Sequence, residues 1–235
     1  MSAEDRRTKL LQVAAGAVFL AIAVVLVLIV VNSSSDGSGD TNLEGAAETN
    51  RLLRGIPQNG MVLGDPQAPV ELIEFGDLQC PFCAAYAEEI LPPIIESQVK
   101  RGEVKIEFRN FTIIGPQSTD AGAAAVAAGA QGRGWNFVEL FYRNQGRENA
   151  GYADDDFLEA VAKGAGVKNI DKWNEERAEL TAEVEETTAE AESLGLQGTP
   201  TLLIKGPGTD GPEVLGTPDS TGEIEEAIEA ANQGR

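Results

Sequence analysis

The chain has no histidine and only two cysteines, Cys80 and Cys83, among its 235 residues. Zinc usually takes four Cys or His ligands, so a zinc site here would need carboxylates or a second copy of the chain. Covalent haem attachment needs a histidine directly after the second cysteine, and position 84 is alanine. We therefore assign neither a metal nor a cofactor. Basic residues are also scarce: 18 Lys and Arg stand against 38 Asp and Glu, for a formal net charge of −20. Binding to nucleic acid needs clustered cations facing the phosphates, so that class of partner is excluded. The excess of acids implies a solvated, self-repelling surface and little more.

The amino-terminal end is rich in apolar residues. "LLQVAAGAVFLAIAVVLVLIVV", Leu10 to Val31, carries no charge and one strongly polar residue, Gln12. As a helix it would rise about 33 Å, enough for a hydrocarbon layer of roughly 30 Å. Arg6, Arg7 and Lys9 precede it, whereas Asp36, Asp40, Glu44 and Glu48 follow before Arg51. The positive-inside rule then places residues 1–31 as a cytoplasmic end and transmembrane anchor, with the rest of the chain extracytoplasmic at the cell membrane. A cleaved signal peptide would have a shorter apolar core and a small-x-small site, which "LIVVNSSS" does not offer. The long, very apolar core does not suit a twin-arginine signal, and no cysteine near the span could carry a lipid. Residues 32–54, rich in Ser, Gly, Asp and Asn, read as a flexible linker reaching roughly 25–30 Å.

From residue 55 the pattern is that of an α/β domain. "VELIEF", Val70 to Phe75, and "VKIEFRNF", Val104 to Phe111, read as strands. Between them a helix begins at Pro81, with a kink or interruption expected at Pro92 and Pro93. A helical block follows over about residues 116–194. It ends in what reads as one long amphipathic helix from Asp171, with Trp173, Leu180, Val184, Thr187, Ala191 and Leu194 facing inward. Thr201 to Lys205 and Glu213 to Gly216 pair as a hairpin, and a last helix starts near Thr221. The order is a βαβ half, a helical insertion and a ββα half.

In that frame Cys80 falls just after a strand and at the start of a helix, in "EFGDLQCPFC". Unpaired N–H groups and the positive end of the helix dipole favour a thiolate there. Cys83, one turn deeper, can reach back to it. A structural disulfide this short would remove little chain entropy. A dithiol that is oxidised and reduced in turn accounts for the spacing better: one sulfur exchanges with a partner and the other resolves the mixed disulfide.

"LGDPQAPVELIEFGDLQCPFC" and "LQGTPTLLI" together resemble the DsbA-like thiol–disulfide oxidoreductases of the thioredoxin fold, over roughly residues 55–233. The resemblance implies a thioredoxin fold with an inserted helical domain. It makes Cys80 the nucleophile and Cys83 the resolving thiol. It also implies a cis Pro200 facing the sulfurs, and a Thr199 whose backbone bonds an extended substrate peptide. Glu74 matches the family's buried acid, able to move protons to and from Cys83; the lesser alternative is an ordinary polar residue on the other face of its strand. The strongest oxidants of the family carry histidine between the cysteines. Here Phe82 stands there, a surface hydrophobe suited to apolar substrate segments, which leaves thiolate stabilisation mostly to the helix N-terminus. The implied partners are exported proteins with thiols or disulfides and a quinone-linked membrane protein that reoxidises the pair. Net reduction or isomerisation by the same site is the near alternative. A non-catalytic binding module is the distant one.

Overall fold

The computed structural model describes residues 43–233. The apolar span Leu10–Val31 and the first part of the expected linker lie outside the described residues. Among the described residues no helix is long and apolar enough to cross a membrane.

Strand β3 (Val70–Gly76) and strand β4 (Val104–Asn110) form a parallel pair at the centre of a six-stranded sheet. On the other side of β3 lies antiparallel β5 (Thr201–Lys205), followed by its hairpin partner β6 (Glu213–Gly216). The opposite edge is extended by β1 (Gln58–Asn59) and β2 (Val62–Leu63), giving the order β1-β2-β4-β3-β5-β6. Strands of two residues are too short to show alternation, so the sequence carries no sign of them. Successive side chains of β3 point to opposite faces. Val70 and Leu72 enter the main core with Ile106, Phe108 and Leu202, while Ile73 and Phe75 join Phe111, Ala191 and Leu203 behind the sheet. Glu74 follows the parity of Val70 and Leu72. It therefore sits on the main-core face.

Helix α1 (Ala46–Leu52) corrects the expected linker. Thr49, Leu52 and Leu53 are buried, so the folded body begins well before residue 55. Helix α2 (Pro81–Ala85) runs on through a π-helical turn at Tyr86–Ile90, then α3 (Leu91–Ile94) and a second π-helical turn at Ile95–Val99. The helix is not interrupted at Pro92 and Pro93; the prolines instead sit between two irregular, π-helical turns. Leu91 N–H bonds five residues back to Tyr86 O, and Lys100 N–H to Ile95 O. The wider turns re-space the carbonyls that a proline ring would otherwise strike.

The insertion comprises α4 (Pro116–Gly129), α5 (Gly134–Arg143), α6 (Asp155–Ala165), α7 (Ile170–Glu179) and α8 (Thr181–Ser193). α4 buries six alanines, Ala121, Ala123, Ala124, Ala125, Ala127 and Ala128. A Cβ at its Gly122 would come within 2.7 Å of Asn110 Oδ1, so a larger residue there requires the Asn110 side chain to move. The long helix expected from Asp171 breaks at Leu180, because its two halves serve different cores. Trp173 of α7 is in the main core, whereas Ala191 of α8 packs behind the sheet. A straight helix could not face both. Leu194, expected inside, is exposed. α9 (Thr221–Asn232), capped by Ser220, buries Ile224, Ile228 and Ala231.

Candidate active site

The loop from β3 into α2 is held mainly by Asp77. Its Oδ1 accepts the Gln79 N–H at 2.8 Å, and its carbonyl accepts the Cys80 N–H at 2.9 Å. Its Oδ2 accepts the N–H groups of Ile113 and Ile114 at 2.9 and 3.0 Å, tying this loop to the one after β4. The insertion supplies the remaining ties. Gln145 donates to the carbonyls of Leu78 (2.7 Å) and Cys80 (3.1 Å), and the Tyr142 hydroxyl donates to that of Asp77 (3.3 Å). Gln79 bonds Ser118 and the Asn149 N–H. Cys80 is delivered as the N-cap of α2 in extended backbone (φ −75°, ψ 120°), with Pro81 in the first turn, where a missing N–H costs nothing.

Both cysteines are free thiols. The Cys80 Sγ lies 3.3 Å from the carbonyl oxygen of Thr199, and the Thr199–Pro200 bond is cis. The Pro200 carbonyl is in turn held by the Thr217 hydroxyl at 2.6 Å. Four of the residues singled out in the sequence, Cys80, Cys83, Thr199 and Pro200, thus meet at one place. The Phe82 side chain, in the first turn of α2, is 72% exposed, and Ile113 of the neighbouring loop is exposed as well.

The two thiols are held in opposite states. Cys80 is lowered to about 6, chiefly by a hydrogen bond from the Cys83 side chain. The Thr199 side chain and the backbone N–H groups of Cys83 and Phe82 add to this against the opposing effect of burial. The helix N-terminus is therefore a contributor and not the main cause, contrary to the expectation from sequence. Cys83, fully buried, is pushed well up by loss of solvent, then by the Cys80 and Glu74 charges. Glu74 is buried too, neither of its carboxylate oxygens has a hydrogen-bond partner, and it is pushed up to about 8. Burial is the larger cause and the Glu139 carboxylate the second. Among the described residues no group of three or more cysteine and carboxylate side chains is gathered as a metal ion would require.

Sequence reasoning missed Asp77, Gln79, Tyr142, Gln145 and Glu139. Asp77 had a usable signal, since Asp followed two residues later by a residue needing an N–H acceptor is a common turn. Glu139 had a weaker one, its place among Phe137, Leu140 and Phe141. Gln145 had none.

The profile of the thioredoxin family, described as Thioredoxin, spans residues 57–229. The chain belongs to that family. Within it, the chain is 29% identical over 149 residues to the probable disulfide bond formation protein D of Bacillus cereus, covering 61% of this chain and 69% of that protein. Among solved structures it is similar to oxidised BdbD from Bacillus subtilis, with 27% identity and a TM-score of 0.64, over 74% of this chain and 95% of BdbD. Wolbachia pipientis α-DsbA1 shares the fold at 22% identity and a TM-score of 0.63, over 78% and 94% of the two chains.

Proposed function

We propose that this thioredoxin-family chain is a membrane-tethered, extracytoplasmic thiol–disulfide oxidoreductase that forms disulfides in exported proteins. The observation that carries the reading is the pairing of Cys80, held toward thiolate chiefly by the Cys83 side chain and lying beside the cis Thr199–Pro200 bond, with a buried Cys83 held toward thiol. The likeness to a disulfide bond formation protein and to BdbD supports the same chemistry.

In the oxidised enzyme a substrate thiolate attacks Cys80 Sγ. A substrate–Cys80 bond forms, the Cys80–Cys83 bond breaks, and Cys83 leaves with the electron pair. Both sulfurs are buried, Cys80 at 4% exposure and Cys83 at none, and the order follows from Cys80 bordering the Thr199–Pro200 loop where a peptide would lie. A second substrate thiolate then attacks the substrate sulfur of the mixed disulfide and expels Cys80, which is a good leaving group because its thiolate is stabilised. The substrate loses two electrons and the enzyme ends as the dithiol. A quinone-linked membrane partner then accepts those two electrons as the Cys80–Cys83 bond re-forms. The Thr199 backbone offers an extended peptide an edge to bond, and exposed Phe82 gives its apolar side chains a contact.

Cys80→Ser abolishes exchange, whereas Cys83→Ser accumulates mixed disulfides with exported proteins. Equal residual turnover in both variants contradicts these roles, and dispensable cysteines would leave a binding module. Phe82, in place of a cationic residue, is the observation that favours net reduction. A potential near about −270 mV rather than about −120 mV would reverse the direction of electron flow. The anchor rests on Arg6, Arg7 and Lys9 before Leu10–Val31. A reporter fused after Gln233 is active only outside the cytoplasm, and recovery of a soluble form starting near Asn32 would replace the anchor with a cleaved signal.

A further inference from the structure

Buried carboxyl groups are ordinarily hydrogen-bonded or paired with a cation. Among the described residues, two lack both a hydrogen bond and an ion pair. Glu74 on β3 and Glu139 on α5 are each 1% exposed, and none of their four carboxylate oxygens has a hydrogen-bond partner. The Tyr86 hydroxyl, on the π-helical turn that packs against α5, is equally buried and equally without a partner. A purely structural position would be better filled by an apolar side chain of similar size. Glu139 has no part in the exchange steps described above.

The surroundings of Glu139 are asymmetric. Its own helix brings Arg143 one turn on, half-buried with an unpartnered Nε, and Tyr142, whose hydroxyl bonds Asp77. α2 and the following turn bring Cys83, Tyr86 and the exposed Glu88. α1 and α6 also pack on α5, and their Glu48–Arg51 and Glu159–Lys163 pairs are closed at the surface. α4 adds only the exposed Asp120, and β2 adds no charge. Burial pushes Glu139 up to about 8, as it does Glu74, and the exposed Glu88 adds to the rise, but the Arg143 guanidinium opposes it at Glu139. At Glu74 the second cause is the Glu139 carboxylate itself. Arg143 therefore makes Glu139 the member of the pair better able to carry the charge, and that charge falls on Glu74.

We propose that Glu139 is a positioning residue for disulfide exchange: its buried carboxylate keeps the unpartnered Glu74 carboxyl protonated, ready to protonate Cys83. This rests on the exchange reaction proposed above. When substrate thiolate attacks Cys80 and the Cys80–Cys83 bond breaks, Cys83 emerges as a thiolate in a fully covered site. The Glu74 proton moves to Cys83 Sγ and leaves a Glu74 carboxylate. Reoxidation of the dithiol by the electron-accepting partner reverses this transfer, so the acid pair ends as it began.

The test uses the full chain with Glu139→Gln, Glu74→Gln, the double variant and Glu139→Asp. Infrared spectroscopy follows the protonated carboxyl against pH, with Glu74→Gln assigning the Glu74 band. The rate at which the oxidised protein reacts with glutathione is followed over the same range. Glu139→Gln is expected to lower the Glu74 midpoint by about one pH unit, the size of effect a nearby like charge produces. The alkaline limb of the rate moves down with it, and Glu139→Asp restores both. In the Glu74→Gln background, Glu139→Gln leaves the rate profile in place. An unmoved Glu74 midpoint overturns the proposal, as does a limb that shifts equally without Glu74. A change confined to thermal stability also overturns it, since it would make Glu139 structural only. Should the unaltered chain fail to exchange with thiols at all, the exchange reading fails, while the infrared titration still reports whether the two acids are coupled.

Discussion

Replacing Cys83 with alanine isolates what makes Cys80 acidic. The Cys83 side chain is the largest cause holding Cys80 at about 6, against an ordinary thiol value of 9.0. A hydrogen bond to a charged group contributes about 1.5–3 kcal/mol. At about 1.4 kcal/mol per pKa unit, Cys83→Ala raises the Cys80 midpoint by about one to two units. At pH 7 the thiolate fraction then falls from about nine-tenths to between about a half and a tenth. The variant holds a single thiol, so ultraviolet thiolate absorbance and the pH dependence of alkylation each report it without interference. The same shift appears in stability. A depressed thiol stabilises the fold above its unfolded value and loses that contribution as pH falls through the folded one. At pH 8 the reduced wild type therefore holds at most about 2.5 kcal/mol from Cys80, and by pH 5 almost none. In Cys83→Ala this loss occurs at higher pH, as urea unfolding between pH 5 and 8 would show. A midpoint still at about 6 in the variant refutes the reasoning and gives the work to the α2 N–H groups and Thr199.

Phe82→His lowers the Cys80 midpoint and raises the reduction potential together, both measurable by thiolate absorbance and glutathione equilibration. About 30 mV corresponds to 1.4 kcal/mol for this two-electron couple. Because residue 82 is 72% exposed, solvent holds the shift at or below about that size. Asp77→Ala strands three backbone N–H groups that now share one carboxylate, and should cost about 3 kcal/mol or more in urea unfolding. Gln145→Ala removes the donors to the Leu78 and Cys80 carbonyls. It is expected to cost about 1–3 kcal/mol and to slow glutathione exchange. An exchange rate unchanged by Gln145→Ala would show that the insertion does not position the start of α2.

The parts of this protein set by neighbouring residues were open to reading in one dimension. Alternation marked β3 and β4, the strand-to-helix step put Cys80 at an N-cap, and a spacing of three put Cys83 one turn deeper. Resemblance in "QCPFC" and "QGTPT" brought Thr199 and Pro200 to the same place from 119 positions away. Contacts between distant segments decided the rest. Two-residue strands such as β2 exist only because β4 offers an edge to pair with. α1 exists as part of the body because Leu52 and Leu53 find the core, although its composition reads as linker. Pro92 and Pro93 stay within a helix because the backbone could widen its turns around them. Leu180 breaks a helix whose pattern is continuous, because its two ends face separate cores. Glu139 and Glu74 are 65 positions apart, and each alone is an ordinary acid in a chain full of them. Proton affinity at such a site depends on who is excluded as well as who is near, and only the packed structure removes the water that would have made both carboxyls unremarkable in their chemistry.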